Sequence, residues 1–187
     1  MKRVGTLHVE WGGMFSGKTE SLIGKMKRAQ YAQKKVQMFK PALDNRDEKT
    51  IVRSHGGDEL VAIAVHSSYE ILSQLDPKTQ TVGIDETQFF DENIVDVINI
   101  LKRSYGVDVV ISGLDMWSSG EPVMLMAKLA AIANTVEKHR AICVVSGQEA
   151  YISYTHVEKN GSDILVGAGK VYEAVSEEVY LSRNGVL

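Results

Sequence analysis

The chain has 187 residues, 44% hydrophobic and 24% charged, with a net charge of −3, which is enough to bury one sizeable core and too little charge for bulk attraction to nucleic acid or an anionic membrane. The N-terminus leads into strand-like sequence without an 18-residue apolar run, so neither a membrane span nor a secretory leader is expected and the expected compartment is the cytoplasm. Its single cysteine, Cys143, excludes an intrachain disulfide and cannot alone make a cysteine-type structural zinc site.

In chain order, residues 6–10 read as a strand and 18–34 as a helix with apolar positions Leu22, Ile23, Met26, Ala29 and Tyr31. Residues 36–39 complete a βαβ unit. The basic residues between 25 and 35 are spaced like a solvated helix face. Residues 60–65 then read as extended, 68–75 as a short helix and 81–84 as a buried strand. Residues 93–104 form a helical pattern through Ile94, Val97, Ile98 and Leu101. Residues 107–112 are strand-like and rich in β-branched side chains, and 122–131 are helical with proline near the start. This alternation predicts an α/β domain with a mainly parallel sheet and right-handed crossovers. From residue 136 the texture changes. Short runs at 141–145, 151–157, 164–166 and 179–181 are separated by glycine-containing turns, which predicts a small β-rich appendage. The expected division is residues 1–138 and residues 139–187.

The densest chemistry lies in Gly12-Gly13-Met14-Phe15-Ser16-Gly17-Lys18-Thr19. It fits the phosphate-binding pattern G-x-x-x-x-G-K-[ST] between a strand and a helix. Glycines let the backbone turn its N–H groups inward, and the helix N-terminus favours an anion. Lys18 can reach the β- and γ-phosphates and Thr19 can ligate magnesium. Such a loop needs a carboxylate from a neighbouring strand, and Val82-Gly83-Ile84-Asp85-Glu86 supplies two. Asp85 suits the magnesium role. Glu86 suits the activation of a nucleophile: water in an ATPase, a substrate hydroxyl in a kinase.

Together with Ile84-Asp85-Glu86-Thr87-Gln88-Phe89-Phe90, the loop resembles the type II thymidine kinases, cytosolic homotetramers of vertebrates, many bacteria and some DNA viruses. Further elements match in the family's order: Lys40-Pro41-Ala42-Leu43-Asp44-Asn45-Arg46, Ser54-His55-Gly56-Gly57, Ser112-Gly113-Leu114-Asp115, Gly120-Glu121-Pro122, and Val166-Gly167-Ala168 followed by Tyr172-Glu173. The resemblance spans residues 5–181 and implies a P-loop, RecA-like core with a small lasso domain related to a zinc ribbon. It implies ATP and Mg²⁺ as cofactors, a nucleoside as acceptor, and no nucleic-acid or membrane partner. By position, Thr19, Asp44 and Asp85 organise Mg²⁺, and Lys18 and Arg46 neutralise the transferring phosphoryl group. Glu86 is the general base, and Gln88 joins the nucleotide-binding set. The base pocket falls on Met14, Phe89, Leu114, Ser118 and Val123, closed by Ile164, Leu165, Val166 and Gly167 of the lasso, with Tyr172 beside the base. Feedback by an end-product triphosphate is a family property with no sequence signature here.

Two departures stand out. Where the family holds zinc with two C-x-x-C pairs, this chain has Cys143-Val144-Val145-Ser146 and Ser176-Glu177-Glu178-Val179. No structural zinc is expected, and apolar packing through Ile142, Val144, Val175 and Val179 is expected to hold the small domain. The family's G-L-D-x-D-F-x-G-E-P-F here has Ser118 and Val123 in place of both phenylalanines, and Trp117 beside them. A wider or reshaped pocket follows, unless Trp117 swings in to fill it; the alternative for Trp117 is a surface or subunit-contact role. Thymidine is the leading acceptor, with another pyrimidine deoxynucleoside as the variant. A P-loop ATPase acting on a macromolecule and a degenerate nucleotide-binding homologue are the competing classes.

Overall fold

The computed structural model describes residues 2–42, 50–53, 57, 59–155 and 171–186. The main unit contains β1 (Leu7–Gly12), α1 (Lys18–Tyr31), β2 (Val36–Pro41), β3 (Thr50–Arg53), β4 (Glu59–Val65) and α2 (Glu70–Ser73). It continues with β5 (Thr81–Ile84), a 3₁₀ turn (Thr87–Phe89), α3 (Ile94–Arg103), β6 (Asp108–Gly113), α4 (Met124–Ala131) and β7 (Thr135–His139). Seven strands form one sheet in the order β3-β4-β2-β5-β6-β1-β7. Every neighbouring pair is parallel except the edge hairpin β3-β4.

Strand alternation sorts apolar side chains to two faces. Met38 and Val110 pack with Leu22, Ile23 and Met26 of α1. Their chain neighbours Phe39, Val109 and Ile111 point the other way, onto Ile94, Val97, Ile98 and Leu101 of α3 and Met126 and Leu129 of α4. With helices on both faces, the central strands read as continuous apolar runs, and β5 is buried at all four positions.

The smaller unit pairs β8 (Ala141–Ile142) with β9 (Glu149–Ala150), and β10 (Ile152–Thr155) with β11 (Tyr172–Val175). Helix α5 (Glu177–Arg183) closes it. Its core is Ala141, Cys143, Ala150, Ile152, Ala174 and Val175, with Val179 and Tyr180 packed against it.

Several expectations need correction. Ile142 and Val144 do not hold this unit together, because they are 63% and 66% exposed. The register turns Ala141 and Cys143 inward, so the alternating residues between and after them face out. Residues 179–181 are helical rather than a strand: Ser176 precedes the helix, Glu177 and Glu178 occupy its first turn and Arg183 its last, which matches the helix dipole at both ends. The change of texture at residue 136 does not begin a new sheet, since β7 pairs with β1. Tyr31 is 87% exposed rather than part of the apolar stripe of α1. The basic face of α1 is not purely solvated, because Lys25 pairs with Glu10 and Glu137. Strand β3 had no counterpart in the sequence reading.

Candidate active site

β1 ends at Gly12 and α1 begins at Lys18, so residues 13–17 turn the chain through a tight loop at the helix N-terminus. Gly17 precedes the helix with φ 84°, a left-handed conformation in which a side chain is costly. Its carbonyl accepts the Ser21 N–H at 2.9 Å. Lys18 is buried and its ammonium donates to the Gly13 carbonyl at 3.3 Å, which holds the charge at the loop rather than in solvent. Ser16 Oγ is buried and has no hydrogen-bond partner among the described residues. An unsatisfied buried hydroxyl in a loop at a helix N-terminus suits phosphate oxygens.

Asp85 lies just past β5, its N–H donating to the Phe39 carbonyl at 3.0 Å. Its Oδ1 accepts the Thr19 hydroxyl at 3.3 Å and also the Ser112 hydroxyl. Burial, then the adjacent Glu86 carboxylate, push the Asp85 carboxyl up to about 6, against the pull of Ser112 and Lys18. A buried carboxylate and hydroxyl sharing one position form the hard-oxygen donor set that Mg²⁺ prefers, so Thr19 and Asp85 fit the metal. Asp44, the third expected ligand, and Arg46 lie outside the described residues.

Glu86 is one of three non-glycine described residues with positive φ, at 51° with ψ 41°. Such conformations persist where surrounding structure enforces them and cluster at functional sites. Here Gln88 Nε2 donates to Glu86 Oε2 at 2.6 Å.

On the acceptor side, Phe89 and Trp117 lie 6.3 Å apart between ring centroids, tilted by 45°. Trp117 packs against the main core together with Leu114; it is half-buried rather than a surface residue. The turn that carries it is pinned by Trp117 N–H to the Glu121 carbonyl at 2.8 Å, and from α5 by the Tyr180 hydroxyl to the Ser119 carbonyl at 2.8 Å. Ser118 is half-buried in that turn, and Val123 sits inside the main core. Phe89 also lines a cleft of about 370 Å³ with Pro41, Ala42, Val65, His66, Phe90 and Asp91. Tyr172 pairs with Thr155, flanking residues 156–170. Ile164, Leu165, Val166 and Gly167 are outside the described residues.

Two contacts were missed from the sequence. Ser112 follows from the parallel register Ile84↔Ile111, which brings residues 85 and 112 level. Ser153 on β10 had no signal at all; its buried hydroxyl accepts the Met14 N–H at 2.9 Å. Where the family's thiolates would sit, Cys143 Sγ accepts the Ser146 N–H at 3.4 Å and Ser146 Oγ meets Ser176 Oγ at 3.5 Å. Burial pushes the Cys143 thiol up, but Ser146 and the N–H groups of Ser176 and Val145 outweigh it and bring it to about 6. Among the described residues, no helix is long and apolar enough to cross a membrane.

The chain matches the family model described as thymidine kinase over residues 5–180. It is 43% identical to a thymidine kinase of Bacteroides thetaiotaomicron, across 98% of this chain and 91% of that protein. It is 44% identical to one from Bacteroides fragilis, across 96% and 88%. With a P-loop, a paired carboxylate and this extent of likeness, the chain belongs to the thymidine kinase family.

Proposed function

We propose that the protein transfers the γ-phosphoryl group of ATP to the 5′-hydroxyl of thymidine or a closely related pyrimidine deoxynucleoside. The observation that carries this reading is Thr19 of the P-loop hydrogen-bonded at 3.3 Å to Asp85, with Glu86 next in sequence in a left-handed backbone conformation. In the proposed reaction Glu86 accepts the 5′-hydroxyl proton as that oxygen bonds to the γ-phosphorus. The bond from the γ-phosphorus to the bridging oxygen breaks and ADP leaves. Lys18 offsets charge on the phosphates, and residues 12–19 hold the donor in line. Mg²⁺, when bound by Thr19 and Asp85, with Asp44 in support, neutralises phosphate charge. Arg46 is assigned the same electrostatic task at the transferring group.

Several assignments stand as proposals of the same kind. The base sits among Met14, Phe89, Leu114, Ser118 and Val123, with Tyr172 and residues 164–167 closing over it; Gln88, expected in the nucleotide-binding set, instead has both ends of its amide engaged by Glu86 and Leu114. Residues 139–187 act as the lasso domain on a kinase domain of residues 1–138. The enzyme works in the cytoplasm in nucleotide salvage, as a homotetramer whose mass in solution light scattering would measure.

The test is a nucleoside panel with ATP and Mg²⁺, scored for 5′-monophosphate. Thymidine is expected to lead, and Glu86→Gln to lower kcat by about 10²–10⁴-fold, the span typical of a general base. A wild-type rate for that variant would sink the assignment.

A further inference from the structure

Both ends of the Gln88 amide are engaged by the protein. The side chain is buried, Nε2 donates to Glu86 Oε2 at 2.6 Å, and Oε1 accepts the Leu114 N–H at 3.1 Å. A carboxylate only accepts and a backbone N–H only donates, so the amide has one workable orientation. Leu114 is the first residue past β6 and Glu86 the second past β5, and the two strands are paired in parallel. Gln88 therefore straps together the chain segments that leave two neighbouring strands. The approach depends on Gly113, where a Cβ would lie 2.8 Å from Gln88 Oε1.

We propose that Gln88 is a positioning residue that acts through Glu86. By fixing Oε2 it sets the rotamer of the carboxylate and leaves Oε1 to take the acceptor proton. Because its other end is tied to Leu114, the base and the Leu114 wall of the acceptor pocket keep one spacing. Glutamine is required at this position because asparagine is one carbon shorter and cannot span both partners, while glutamate would present an acceptor to an acceptor. The inference rests on reading Glu86 as the base.

The experiment is a double-mutant cycle on the full chain, with kcat and KM measured for thymidine and for ATP. Gln88→Glu keeps the volume and the bond from Leu114 but sets a second carboxylate against Glu86 in place of the donor. Gln88→Leu removes both bonds. Each is expected to lower kcat by roughly 10–100-fold, the scale of a misplaced catalytic group, with the ATP KM within about twofold of wild type. In a Glu86→Gln background the same changes are expected to alter the residual rate by less than about threefold, since the residue they act through is already gone. Equal losses in both backgrounds, or wild-type kcat in Gln88→Glu, would overturn the proposal. A Glu86→Gln enzyme at the wild-type rate would instead overturn the underlying assignment of the base, a separate result.

Discussion

Burial and the neighbouring Glu86 carboxylate raise Asp85 to about 6, whereas an unperturbed aspartate titrates near 3.8. Between those values the folded protein holds a proton that the unfolded chain has released, so stability falls as pH rises through the window. Above it, the ionised carboxylate is a standing cost that a bound cation relieves. Asp85→Asn is therefore expected to stabilise the nucleotide-free protein at pH 7 by about 1–2 kcal/mol, or roughly 2–8 °C in Tm. Kinase activity should fall by at least about a hundredfold. Melts at pH 4 and pH 7 beside a kinase assay check both, and a less stable variant at pH 7 contradicts the account. At this scale the sequence was most informative where a pattern is contiguous: a P-loop fixes the spacing of Lys18 and Thr19, and an apolar strand ending in two acids marks Asp85 and Glu86. Ser112, Ser153 and the partners of Gln88 could not be read this way, since each owes its role to a strand lying beside it.

Helix α1 and strands β1 and β7 share one charge network. Glu10, 1% exposed on β1, accepts from Lys25 Nζ at 2.5 Å and from His139 Nε2 at 2.6 Å. Lys25 also reaches Glu137 at 3.0 Å. Burial would raise the Glu10 carboxyl, but His139 and Lys25 outweigh it and hold it below the ordinary 4.5. A depressed carboxylate contributes stability that is fully present above 4.5 and lost as pH falls through the lower folded value. Lys25→Met is expected to cost about 1–3 kcal/mol at pH 7. This is less than a fully buried pair, because the Lys25 side chain is 33% exposed. Urea melts should show the gap to wild type narrowing below pH 4.5; a gap that is constant with pH would contradict the assignment to Glu10. No residue count along α1 distinguishes such a lysine from a solvated one. Element types were otherwise legible where periodicity was long, as in α3. They failed for α5, where the short apolar run Val179-Tyr180-Leu181 was read as extended and the acids before it, Glu177 and Glu178, form the first turn of a helix.

For the whole molecule, the alternation of strands and helices was enough to give an α/β domain with a mainly parallel sheet; that helices cover both faces is seen in the packing. Sheet order was not legible, because β7 joins β1 and β5 joins β2 through pairings between strands distant in sequence that no local pattern encodes. The same limit applied to how the P-loop meets the smaller unit. Met14 donates its N–H to Ser153, and Phe15 packs with Met116, Tyr151, Tyr154, Val179 and Tyr180 around the smaller core. The glycine-rich loop of residues 12–19 is thus also a packing element of the small unit. A donor nucleotide bound there contributes its free energy to both cores by mass action, about 2.7 kcal/mol at a concentration a hundred times its Kd. Through Phe15 and Ser153, filling the loop and keeping the smaller unit folded become one property that a single melt reads.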